Sequence, residues 1–222
     1  MIIIRPLIDV LGKIMKLPKN SYLDPTTLGS GTPSSSNWLR GDGTWQPITP
    51  GPTLYGLYAQ TSLGTNIAAT TVETSLIGAG VGSLTVPANG FQVGDSFVAK
   101  MCGYLSSANS ETVHIRVKAD GIVIADAGVF TLNLATNKHF ELTIDFTVAK
   151  IGGPGVAELF VNGQFSYNKN ANSNIDGTNF SFVDDTLFDT TTSLTLNITA
   201  QWGSANINNS IQSQNFVLTK IY

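Results

Sequence analysis

Few residues of this 222-residue chain are of types that do chemistry, and their spacing argues against catalysis. His114 and His139 are the only histidines, and each falls on the polar side of an alternating apolar run. That places them on wet strand faces, as solvated or hydrogen-bonded side chains rather than general bases. Cys102 is the only cysteine, which excludes an internal disulfide and any zinc site built on paired thiolates. Glu141 and Asp145 share a strand face, and a glycosidase pair needs carboxyls about 5–9.5 Å apart. Four residues of extended chain separate their backbones by about 13 Å, so only partners from different strands would serve. P-loop, dinucleotide and nucleophile-elbow patterns are missing. The expectation is a protein with no catalytic residue and no cofactor.

Two clusters suit binding better. Asp184, Asp185 and Asp189, in VDDTLFDT, offer oxygen ligands for Ca²⁺ without an EF-hand spacing, and otherwise read as solvated loop acids. Residues 168–179, NKNANSNIDGTN, read as an amide-rich loop, suited to hydrogen-bonding glycan hydroxyls or simply to joining two strands. Its candidate contacts are Asn168, Asn170, Asn172, Asn174, Asp176 and Asn179, with Tyr167 and Phe180 at the edges as stacking surfaces for a sugar ring.

The elements that must position these groups are strands. Phe140, Leu142, Ile144, Phe146 and Val148 alternate with polar residues, as do Val113, Ile115 and Val117, and Leu194, Leu196, Ile198, Ala200 and Trp202. Each run is a strand with one dry face and one wet face, the pattern of antiparallel sheets. Asp120-Gly121 and Asn162-Gly163 read as tight hairpin turns, and Gly152-Gly153-Pro154-Gly155 as a longer break. Nine or ten strands and no helix are expected in the body. The last strand, 215–222, is apolar on both faces, which predicts either a central strand or one covered by a second copy. Phe216, Val217, Leu218, Ile221 and Tyr222 are the expected oligomer contacts.

Composition divides the chain. Seven of nine prolines lie within residues 1–52, and a central sheet excludes proline because it cannot donate to the ladder. Residues 1–52 carry a net +2 and residues 53–222 a net −5, which predicts an attachment arm and one folded domain. In the arm, Ile4, Leu7, Leu11 and Ile14 follow helical spacing and Pro6 and Pro18 suit a first turn and an end, so a short amphipathic helix is expected over 6–17, to pack on its own domain, dock on a partner or bundle with copies of itself, or lie on a membrane surface. Arg5, Asp9, Lys13 and Lys16 interrupt the apolar run, leaving neither a membrane span nor a signal peptide. Charged residues make up 12 % of the chain and the net charge is −3, so nothing drives it toward nucleic acid. Thr, Asn, Ser and Gly fill the gap with 84 residues, a neutral, hydroxyl-rich composition suited to β-structure and tight assembly.

Residues 28–46, LGSGTPSSSNWLRGDGTWQ, have the composition of a loop with Trp38 and Trp45 as its only large anchors. The string resembles the GTP-SSS-x-x-LRGDGTW segment of bacteriophage tail-fibre, head-fibre and other virion proteins. LTLNITAQWGSANINNSIQSQNFVLTKIY (194–222) and GSLTVPANGFQVGDSF (82–97) are similar to parts of small phage β-sandwich domains, many of them trimeric. The resemblance implies a virion protein whose distal domain is a homotrimeric, jelly-roll-like antiparallel sandwich meeting the host surface, with a host glycan as a candidate partner. It also implies docking on other virion proteins through residues 1–52, where Ile4, Leu7, Leu11, Ile14, Trp38 and Trp45 are the candidates. Arg40-Gly41-Asp42 lies inside the phage-like string and reads as a glycine turn rather than an integrin ligand. The rivals are a capsid or tail decoration or connector protein, a capsule depolymerase, and a secreted trimeric ligand of the tumour-necrosis-factor or C1q type. The missing signal peptide argues against the last.

Overall fold

The computed structural model describes residue 26 and residues 28–34, 37–39, 41–47, 56–171 and 174–222. The helix expected over 6–17, with Ile4, Leu7, Leu11 and Ile14, lies outside the described residues, as do Arg40 and Asn172. The chain divides into two compact units, residues 1–53 and 54–222.

In the smaller unit the segment with loop composition folds into a hairpin. β1 (Asn37–Leu39) runs antiparallel to β2 (Trp45–Pro47), with Trp38 opposite Gln46 and Leu39 opposite Trp45. Asp42 sets the turn by accepting hydrogen bonds at Oδ1 from the Thr44 amide (3.0 Å) and the Thr44 hydroxyl (2.7 Å). Gly43 supplies the left-handed residue at φ +77°, which a side chain would resist. Ser30 joins this hairpin, its amide donating to Gly43 O and its carbonyl accepting from the Trp45 amide, both at 2.8 Å.

The larger unit is all-β, and no α-helix occurs among its described residues. Its strands are β3 (Gly56–Gln60), β4 (Ile67–Ala68), β5 (Thr74–Ser75), β6 (Gly80–Gly82), β7 (Thr85–Val86), β8 (Ser96–Ser107), β9 (Glu111–Ala119), β10 (Ile122–Leu132), β11 (Ala135–Lys150), β12 (Glu158–Asn168), β13 (Ile175–Asp184), β14 (Leu194–Trp202) and β15 (Ser210–Lys220). Thirteen strands exceed the expected nine or ten because five of them are only two to five residues long. One sheet has the order β13-β12-β11-β8-β15-β3-β6 with β4 also on β15, and the other β10-β9-β14-β5 with β7 also on β14. Every pairing in both sheets is antiparallel.

The alternating runs behave as their period dictates. Phe140, Leu142, Ile144, Phe146 and Val148 of β11 are buried, and with Val113, Ile115 and Val117 of β9 and Ile198, Ala200 and Trp202 of β14 they form one core between the sheets. The unit is therefore sandwich-like. Trp202 anchors the core, and its indole nitrogen donates to Ile67 O at 3.0 Å, so the one polar atom of the ring is satisfied where water is excluded. Asp120 (φ +47°) and Gly121 (φ +85°) make the expected two-residue turn between β9 and β10.

Two expectations are corrected. Asn162-Gly163 is not a turn: β12 runs straight through it, with Asn162 opposite Asp145 and Ser181. Gly163 is glycine because the Phe180 ring lies where its side chain would be, and an added Cβ would stand 2.0 Å from Phe180 Cζ. The last strand is central in its sheet, and only one of its two apolar faces is buried by the chain itself. β15 lies between β8 and β3, and a register shift between Ser213 and Asn215 turns Phe216 and Leu218 into the chain's own core. Those two are unavailable as oligomer contacts. Val217 is half-buried, whereas Ile221 and Tyr222 beyond the strand are exposed.

Candidate binding site

The residues singled out at 167–180 mostly hold the fold. β12 extends to Asn168 and β13 begins at Ile175, so both ends of the expected loop are strand, because the amide-rich run continues the pairing on both sides. Tyr167, expected as a stacking surface, is only 1 % exposed. Its hydroxyl accepts from the Asn133 amide at 2.7 Å, and burial pushes the phenol above its ordinary value. Asp176 faces the same side and accepts from Asn133 Nδ2 at 2.6 Å, with Lys169 Nζ at 3.6 Å. Burial pushes its carboxyl up, but those bonds, the Gly177 amide and the Lys169 charge outweigh that and hold it low. Asn170 braces β11, accepting from the Thr136 amide at 3.0 Å and donating to the Thr136 hydroxyl at 3.1 Å. Asn174 accepts from the Lys169 amide through its own carbonyl, closing the loop. Asn168 is half-buried. Phe180 is spent on Gly163. Asn179 alone presents an exposed side chain on an open sheet face.

Several of the other candidates take structural roles. Asp184 is buried, and its Oδ1 accepts from the Thr186 and Leu187 amides (3.1 and 2.9 Å), turning the chain out of β13. Asp189 makes a similar turn with Thr191. Asp185 joins neither turn, and no set of three metal-binding side chains converges among the described residues. His114 Nε2 meets Asp126 Oδ1 at 2.5 Å, while Arg116 reaches His114 Nδ1 (2.6 Å), Gln201 Oε1 (2.9 Å) and Glu73 Oε2 (3.1 Å). Each group in this cluster is occupied by another, so it clamps β9, β10 and β14 instead of presenting a base. His139 is exposed beside Tyr104.

Two concavities were not legible in the sequence. One is an apolar cavity of 270 Å³ between the sheets, lined by Leu84, Phe91, Phe97, Ile124, Phe146 and Leu196 among others. Asp95 and Lys220 pair at its edge (2.6 Å), neutralising each other and leaving no free charge to orient a ligand.

The second, of 510 Å³, lies on the outer face of β11, β12 and β13 and is lined by Thr143, Asp145, Asn162, Gln164, Asn179 and Ser181. Register builds it. Asp145, Asn162 and Ser181 stand side by side in one row across the strands, and Thr143, Gln164 and Asn179 in the next. With strands about 4.8 Å apart and same-face neighbours about 6.6 Å apart, the six side chains root in an area of roughly 10 by 7 Å. Ser181 Oγ donates to Asn162 Oδ1 at 2.9 Å, which leaves the Asn162 amide hydrogens available. Thr143, Asp145, Gln164 and Asn179 make no side-chain hydrogen bond with a described residue. The adjoining row is Thr147, Phe160 and Val183, and the last two are exposed at 42 % and 54 %.

Neither a family model, nor a curated protein, nor a solved structure matches the chain. Glu141 and Asp145 share the outer face of β11 as expected, two rows apart along one strand.

Proposed function

We propose that the chain is a subunit of a bacteriophage fibre or spike, docked on the particle through residues 1–52 and presenting residues 53–222 as a trimeric body toward the host surface. The observation that carries this reading is the string GTPSSSNWLRGDGTW at 31–45, with its likeness to virion proteins. A separate unit at 1–53 and an all-β body at 54–222 fit the division of labour between docking and display. For the body, the finer architecture we favour is a jelly roll. Successive strands support it: β8 lies in the larger sheet, β9 and β10 in the smaller, β11 to β13 in the larger, β14 in the smaller and β15 in the larger. The body acts by binding and not by catalysis.

Labelling purified particles with an antibody to the body tests the reading directly. Signal at a fibre or spike is the expected result, and particles without the chain would overturn it. Removing residues 1–20 is expected to leave a soluble body that no longer enters particles; continued incorporation would sink the docking role. Particles that carry the chain on their shell, with no host contact in adsorption assays, would assign it to decoration instead.

A further inference from the structure

We infer that the outer face of β11, β12 and β13 is a binding site for a neutral glycan, seated on the two rows Asp145-Asn162-Ser181 and Thr143-Gln164-Asn179. The inference deepens the fibre reading and rests on it only for the source of the glycan, a host surface. Three features point to sugar. The side chains are amides and hydroxyls, which both donate and accept, as sugar hydroxyls do. Four of the six have no partner within the described body, so a ligand need not displace existing bonds. Phe160 and Val183 continue the grid as an apolar row, a surface for the C–H side of one ring beside groups that hold its hydroxyls.

Charge decides between neutral and anionic sugars. The grid holds one formal charge, Asp145, and Glu141 stands one row beyond Thr143 on β11. Lys100 lies opposite Thr143 on β8 and is outnumbered by those two carboxylates. A phosphate, sulfate or uronate group would therefore meet net repulsion. A second copy of the chain fits the face less well, because interface centres are rich in aromatic groups and this centre is made of amides. The rigid backbone beneath fixes the grid before binding, which limits the entropy lost on association.

The test uses the full-length chain and a panel of neutral oligosaccharides of glucose, galactose, mannose, rhamnose and N-acetylglucosamine. Binding to at least one is expected, with shifts of the Gln164 and Asn179 side-chain amide NMR signals. Gln164→Ala with Asn179→Ala should weaken it roughly tenfold. Both side chains are exposed and unpartnered, so unchanged thermal melting will confirm that the fold is kept. Lys169→Ala in the neighbouring loop should leave sugar binding unchanged.

No binding across the panel would overturn the inference, and so would binding indifferent to the double substitution. Amide signals that respond to protein concentration and not to sugar would assign the face to a second copy and equally overturn it. The fibre reading is judged separately by particle labelling. Labelled particles without sugar binding remove only this site, whereas sugar binding without labelled particles removes only the fibre.

Discussion

A methyl group on Gly163 would lie 2.0 Å from Phe180 Cζ, and one on Gly103 would lie 2.0 Å from Gln212 O. The two collisions differ in what can yield. At Gly163 the obstacle is the far end of a side chain, so the ring can swing aside and lose part of its burial. At Gly103 the obstacle is the backbone of β15, held in the middle of the sheet. Alanine also recovers about 0.5–1 kcal/mol of the entropy that glycine loses in a strand. Gly163→Ala should therefore cost about 1 kcal/mol, and Gly103→Ala roughly 3 kcal/mol, at the upper end of overpacking. Urea unfolding of both variants checks the order, and equal costs would contradict it. Adding Phe180→Ala to Gly163→Ala should cost less than the two single changes summed, because the ring and the methyl compete for one space.

Among the elements, the segment before β5 carries a dependence on pH. Burial pushes the Glu73 carboxyl up, but hydrogen bonds from Lys118 and Thr199 and the charges of Lys118 and Arg116 outweigh that and hold it below its ordinary value. A depressed carboxylate contributes stability that is present above the unfolded value, about 4.3, and is lost as pH falls through the folded value. Below about pH 4, amide exchange in residues 70–76 should therefore accelerate before the rest of the body opens. Glu73→Gln should lack that pH dependence, and an identical acid profile would refute the clamp. Strand β11 was legible because five apolar residues alternate without interruption, and the β9–β10 turn because Asp120-Gly121 suffices locally. Asn162-Gly163 has the same local chemistry, yet a phenylalanine on the next strand overrides it. The doubly apolar β15 and the amide-rich run at 168–179 were misleading for a related reason: pairing partners, absent from the local sequence, decided which face was wet. The grid was invisible altogether, since Thr143, Gln164 and Asn179 become neighbours only through the register of three strands.

At the scale of the whole molecule, the proposed trimer makes a simple demand. Light scattering of the full chain at micromolar concentration should give three times the 23.5 kDa chain mass. A monomer there would count against assembly through this body. Ile221→Ser with Tyr222→Ser is expected to lower the assembled fraction without unfolding the body, since both residues are exposed and lie outside β15. The position of β15 carries another implication, this one in time. Leu218 pairs with Tyr58 on one side and Ala99 on the other, so the larger sheet is seamed by residues drawn from opposite extremes of the unit. During synthesis, the β15-facing edges of β3 and β8 have no partner until residues 210–220 are free to pair. Such long-range closure is slow, on the order of milliseconds to seconds. In a crowded polysome the waiting edges of neighbouring nascent chains are the ones most open to mispairing, so yield should depend on how quickly the final strand is delivered.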